Sequence, residues 1–215
     1  MNAVIENLPS YLEGFGLTLS LFFIAGFSAI ILGSIVVAMR ISPVAGLRGA
    51  AAIFTEVLRN TPLTLVLLFF AVVLPQLAPR LPYFVSACVG LTLYTAPFVA
   101  EALRSGVNGV PVGQAEAARS LGMGFRQALT LVIFPQAFRM VIPPLVNVLV
   151  ALAKNTSVAG GFFVAELFTV GKKLANDNGD NIIPILLGVA FFYLVITIPL
   201  GIFSSRLEKR WVVAR

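Results

Sequence analysis

Four stretches of this chain, residues 14–39, 60–79, 81–100 and 181–205, contain no Asp, Glu, Lys or Arg. Each reaches the length of about 20 residues that a helix needs to cross the hydrocarbon core of a bilayer. A fifth stretch, 129–153, is comparably apolar but holds Arg139 and three prolines, Pro135, Pro143 and Pro144. Soluble domains carry roughly 25% charged residues; here the charged share is 11% and the hydrophobic share 59%. A chain with so few polar residues cannot build a water-facing surface on every side. We read an all-α integral membrane protein, a single domain over 1–215, with spans near 15–39, 51–75, 83–103, 129–153 and 182–204.

The basic residues supply an orientation, because cytoplasmic loops are enriched in Lys and Arg. With the N-terminus outside, the inner segments hold nine: Arg40, Arg48, Arg104, Arg119, Arg126, Arg206, Lys209, Arg210 and Arg215. The outer segments hold four: Arg80, Lys154, Lys172 and Lys173. The expectation is N-terminus out and C-terminus cytoplasmic. The net charge of +6 is scattered at the ends of apolar runs and forms no basic cluster, so it calls for no nucleic-acid partner. Residues 1–16 carry Glu6 and Glu13 and no basic residue, which is unlike a cleavable signal peptide. With one cysteine, Cys88, no disulfide forms within the chain, and with no histidine neither a His-based triad nor a His metal site is expected.

Two segments between spans are long enough to carry function, an inner one and one over 154–180 that lies outside or is partly re-entrant. The inner one, about 105–128, contains Gly113, then Glu116-Ala117-Ala118-Arg119, Leu121 and Gly122. Residues 114–121 are good helix formers, Glu116 suits the start of a helix dipole, and Gly122 suits the residue that ends one. A helix of about two turns is not stable alone, so it should dock on a partner. Ala117 and Ala118 would admit that partner closely, with Glu116 and Arg119 as charged contacts at the edge. Gly122 stands six positions after Glu116, and Pro135 thirteen after Gly122.

This pattern resembles the EAA loop of ABC importer permeases. Val132 and Phe134 replace the isoleucine and leucine of the family pattern. The resemblance extends to Arg59-Asn60-Thr61-Pro62-Leu63, to residues 94–101, and to Lys154-Asn155-Thr156-Ser157. These look like the polar-amino-acid branch, and most like the glutamate-type permease subunits of actinobacteria. The resemblance implies a type I ABC importer permease fold in a bacterial plasma membrane. It further implies import of glutamate or a related polar amino acid, with coupling through Glu116, Ala117, Ala118, Arg119, Leu121 and Gly122. The implied partners are a second permease, identical or different, two ATPase subunits and an extracytoplasmic solute-binding protein. No phosphate-binding Gly-rich loop is present, so this chain needs no cofactor of its own, and ATP and Mg would be bound by the ATPase.

Polar residues within spans are costly and mark bundle interiors or cavities. Candidates for the substrate pathway are Arg59, Asn60, Thr61, Glu101, Arg139, Lys154, Asn155, Thr156 and Ser157. Glu56 and Arg59, like Glu101 and Arg104, are also spaced to form helix-end ion pairs. Arg139 lies about 15 Å past Leu129 at 1.5 Å per residue. It could snorkel, pair with Glu56 or Glu101, or meet a substrate carboxylate. The cluster 154–157 could equally be a solvated outer loop. A rival class is an ion-coupled secondary transporter or channel using Glu56, Glu101 and Arg139. Dissimilar halves and an odd number of spans argue against an inverted-repeat transporter, and an enzyme would find little chemistry here.

Overall fold

The structure is a computed structural model that describes residues 2–212; Arg215, counted above among the inner charges, lies outside them. The helices are α1 (Asn2–Glu6), α2 (Leu8–Arg40), α3 (Ala45–Arg59), α4 (Leu63–Leu77), α5 (Tyr83–Asn108), α6 (Val112–Ser120), α7 (Phe125–Phe162), α8 (Leu167–Asp177) and α9 (Ile182–Val212). Helices α2, α5, α7 and α9 are each long and apolar enough to cross a membrane, and α3 with α4 supplies a fifth, bent span.

The expected second span, 51–75, is two helices that meet at 102°. Pro62 disfavours helical backbone at Thr61. The Asn60 amide donates to the Glu56 carbonyl at 2.8 Å and the Thr61 hydroxyl to the Val57 carbonyl at 2.7 Å, capping α3 from within. Helix α3 is amphipathic: Ala51 and Thr55 are buried while Ile53 and Val57 are exposed. Such a helix suits a membrane surface better than a membrane interior. Helix α4 spans about 22 Å at 1.5 Å per residue, short of the 30 Å core, and widens to a π-helical turn at Phe69–Val73.

Helix α7 continues past all three prolines of the fifth stretch, Pro135, Pro143 and Pro144. Pro135 cannot donate to the carbonyl four residues earlier, and the turn before it, Ala128–Ile133, is π-helical, which absorbs the mismatch. At its far end α7 tightens into the 3₁₀ turn Thr156–Phe162.

Close helix crossings rest on glycine, as is common where helices associate within lipid. A Cβ at Gly33 of α2 would stand 2.7 Å from Val99 and 2.8 Å from the Ala96 carbonyl oxygen of α5. One at Gly106 of α5 would stand 2.7 Å from the backbone N and Cα of Val141 in α7. The core around Leu21, Leu67, Leu91 and Leu152 joins α2, α4, α5 and α7. Phe23, Phe27, Ile31 and Ile35 of α2 and Ile183, Leu187, Phe191 and Leu194 of α9 remain exposed; in a bilayer these faces meet lipid.

Candidate functional site

Three constellations stand out, and the first is the segment after α5 that carries helix α6. Helix α6 follows Pro111 and ends in two nested bonds. The Gly122 N–H donates to the Arg119 carbonyl at 2.9 Å and the Met123 N–H to the Ala118 carbonyl at 3.1 Å. Gly122 has φ +79°, a conformation that costs a side-chain-bearing residue energy but not glycine. Glu116, Ala117 and Arg119 are exposed, whereas Ala118 is buried against the chain's own α7 and is not open to a partner. Leu121 is 83% exposed, and Val112 and Phe125 are each 75% exposed. A short helix thus presents charged and large apolar side chains together, outside any core.

The second constellation surrounds Glu101. Its Oε1 lies 3.5 Å from Arg40 at the end of α2, 3.8 Å from Arg59 at the end of α3 and 3.9 Å from Arg104 one turn on. The expected Glu101–Arg104 pair is therefore present. Arg59 pairs with Glu101, and no Glu56–Arg59 ion pair occurs among the described residues. Asn60 and Thr61 spend their side chains on capping α3, although Thr61 also borders an apolar groove under the α3–α4 bend. Arg139 is exposed and forms no ion pair with Glu56 or Glu101 among the described residues.

The third lies between α5 and α7. A cavity of about 460 Å³ is lined by Tyr94, Thr95, Phe98, Asn147, Val148, Ala151, Leu152 and Asn155. Thr95 is 3% exposed, and its hydroxyl is the one buried side-chain polar atom without a hydrogen-bond partner among the described residues. The Asn147 carbonyl oxygen accepts from the Ser204 hydroxyl at 3.1 Å, which leaves its NH₂ as the group it can offer the cavity. An apolar pocket with a few convergent polar groups, of a few hundred Å³, is the usual form of a small-molecule site.

Of the 154–157 cluster, only Asn155 reaches this cavity. Lys154 is exposed, and the Ser157 hydroxyl donates to the Lys154 carbonyl at 2.7 Å. Thr156 is fully buried, and its hydroxyl donates to the Ala153 carbonyl at 2.7 Å. It abuts a network that sequence reasoning missed. Glu166, 0% exposed, caps α8 by accepting from the Phe168 N–H at 2.8 Å and the Thr169 N–H at 2.8 Å. It also accepts from the Thr169 hydroxyl at 3.1 Å and from the Tyr193 hydroxyl of α9 at 2.7 Å. Next to it, Thr18 of α2 accepts the Leu167 N–H at 3.1 Å. Burial raises the Glu166 carboxyl above its ordinary range, and the four donors draw it part of the way back. The one sequence signal for Glu166 is an acidic residue just before a helix start; in a loop read as outside or partly re-entrant, that signal does not place it in a buried network. Asn147 had a plainer one, a lone amide between Pro144 and Lys154 in an apolar run.

Comparisons with known proteins identify the family and the fold. The pattern of the "Binding-protein-dependent transport system inner membrane component" family matches residues 29–213. The glutamate transport system permease protein GluC of Corynebacterium efficiens is 40% identical, covering 96% of each chain. The probable glutamine ABC transporter permease protein GlnM of Bacillus subtilis is 39% identical over 98% of this chain and 97% of its own. A crystal structure of an amino acid ABC transporter with histidines superimposes with a TM-score of 0.87 at 28% identity, covering 96% of each chain. The methionine ABC transporter MetNI, at 20% identity and TM-score 0.77, shares the fold. The chain belongs to the binding-protein-dependent transport system inner membrane components: it is a multi-pass permease subunit of a plasma-membrane ABC transporter, and not itself an enzyme.

Proposed function

We propose that this chain forms the membrane pathway of an amino-acid importer, with glutamate or a close polar relative as its substrate. The observation that carries the reading is the cavity between α5 and α7, lined by Thr95, Asn147 and Asn155, with the Thr95 hydroxyl buried and unpartnered at its wall. A buried hydroxyl without a partner is costly, and a ligand carboxylate or amide would satisfy it. The names of the relatives GluC and GlnM support the substrate class. The working assembly contains a second permease, two ATPase subunits that bind ATP and Mg, and an extracytoplasmic solute-binding protein. The chain acts as one domain with its N-terminus outside. Glu116, Ala117, Arg119 and Leu121, with Gly122 setting the helix end, form the face that meets the ATPase.

Proteoliposomes containing the assembled transporter test the cavity. Thr95→Val and Asn147→Ala should each cut ATP-driven glutamate uptake by about tenfold, the loss of one hydrogen bond to a charged ligand. Permease abundance should be unchanged. Wild-type uptake by both variants would place the pathway elsewhere.

A further inference from the structure

The arginines around Glu101 are more than its charge requires. One carboxylate faces three guanidinium groups, so the cluster keeps two positive charges. All three ion pairs use Oε1, at 3.5–3.9 Å. Closed charge-assisted hydrogen bonds are shorter, about 2.7–2.9 Å. Each guanidinium offers five N–H donors in a planar fork suited to carboxylates, and Glu101 cannot occupy them all. The side chains of Arg59 and Arg104 are nearly half exposed, so another anion can reach them.

A second observation ties this cluster to the cavity. The Arg59 guanidinium lies over the Phe98 ring, 5.9 Å from its centre, and Phe98 lines the cavity. Glu101 follows Phe98 by one turn of α5 on the same face. The arginines therefore stand at the Phe98 end of the cavity, with Asn155 at the far end of α7. In the orientation proposed above, the Phe98 end is the cytoplasmic one.

We propose that the arginine cluster is a second station for the substrate, at which a carboxylate of an acidic amino acid replaces Glu101 as the counter-ion of Arg59. This rests on the cavity reading and adds a charge preference to it. A monoanionic amino acid lowers the excess from two charges to one. A zwitterion leaves it at two and brings its ammonium towards the same cations. The station therefore selects acidic over neutral amino acids inside the membrane, independently of any binding protein. The chemistry recognised is an oxyanion. A lipid phosphate presents the same chemistry, and the test separates the two.

The permease–ATPase complex, in nanodiscs of zwitterionic lipid and without binding protein, is titrated with labelled glutamate and labelled glutamine. The wild type should bind glutamate more tightly than glutamine. Arg59→Gln should reduce that ratio by about tenfold, the worth of one charge-assisted bond. Arg59→Lys, which keeps the charge, should hold most of it, and this separates loss of charge from misfolding. A ratio unchanged in both Arg59→Gln and Arg104→Gln overturns the proposal. So does loss of glutamate binding when phosphatidylglycerol replaces part of the lipid, because the occupant is then a lipid phosphate. Equal wild-type affinity for glutamate and glutamine overturns this proposal alone; binding of neither overturns the cavity reading and this one with it.

Discussion

Glu166→Gln is nearly isosteric, and the hydrogen-bond network predicts what it costs. Oε2 accepts from the Phe168 N–H and the Tyr193 hydroxyl; Oε1 accepts from the Thr169 N–H and the Thr169 hydroxyl. In glutamine one of these oxygens becomes an NH₂ group. A hydroxyl can turn and accept from it, but a backbone N–H cannot. Whichever way the amide is placed, one buried N–H is left facing an N–H. An unsatisfied buried donor costs about 1–3 kcal/mol. For a chain of this size that corresponds to a Tm lower by about 2–4 °C per kcal/mol. A protonated glutamic acid differs from glutamine here, because its hydroxyl oxygen still accepts. The raised carboxyl therefore adds a pH signature. Between the ordinary value of 4.5 and the raised one, the folded chain keeps a proton that the unfolded chain has released. Stability then rises as pH falls through that window and levels off below 4.5. Thermal unfolding of the detergent-purified permease across that range measures both effects. Glu166→Gln should lower Tm at neutral pH and flatten the pH slope. Tyr193→Phe, which removes one donor and leaves three, should lower Tm less. An unchanged Tm in Glu166→Gln together with an unchanged slope would refute the network's structural role.

Gly106→Ala should force α5 and α7 apart, since its Cβ would sit 2.7 Å from the Val141 backbone where carbon atoms prefer about 3.5–4.0 Å. The cost is about 1–3 kcal/mol, read as a lower Tm, while Gly113→Ala, with nothing within 4 Å, should leave Tm unchanged. Orientation is checked in intact cells carrying the Cys88→Ala background. A cysteine at exposed Asp177 should react with an impermeant thiol reagent added outside, and one at exposed Arg126 should not; the reversed pattern contradicts the nine-to-four charge count.

What could be read from the residues alone followed from long-range regularity. Four spans were legible because hydrocarbon thickness dictates an apolar length of about 20 residues, which α2, α5 and α9 supply without a charge and α7 supplies despite Arg139. The end of α6 was legible because Gly122 is the residue type that a left-handed helix end demands. The bend between α3 and α4 was less so. Asn60-Thr61-Pro62 signals a break, but hydropathy runs across it and hides the amphipathic face of α3. Pro135, Pro143 and Pro144 do not end α7, which continues past them with a π-helical turn at Ala128–Ile133. Side-chain partners across helices were not legible at all. Thr156 looked like pathway lining next to Asn155, yet one step along a helix turns a side chain by about 100°, and Thr156 faces the core while Asn155 meets the cavity. Thr95 and Glu166 become visible only when α5, α8 and α9 are packed, because one is defined by a missing partner and the other by four present ones.

The account stands or falls on whether α6 transmits ATP hydrolysis to the pathway. The direct measurement is uptake of labelled glutamate per ATP hydrolysed, in proteoliposomes of the assembled transporter, for wild type, Glu116→Lys and Gly122→Val. Glu116 is exposed on α6, and Gly122 occupies a φ of +79° that a β-branched residue does not tolerate. Neither change touches the cavity between α5 and α7. Both variants should insert at normal abundance, while ATPase co-purification falls or uptake per ATP drops by about tenfold or more, since a factor of ten needs only about 1.4 kcal/mol of lost coupling. If both variants co-purify with ATPase normally and transport at the wild-type ratio, α6 is not the coupling element and the account is contradicted.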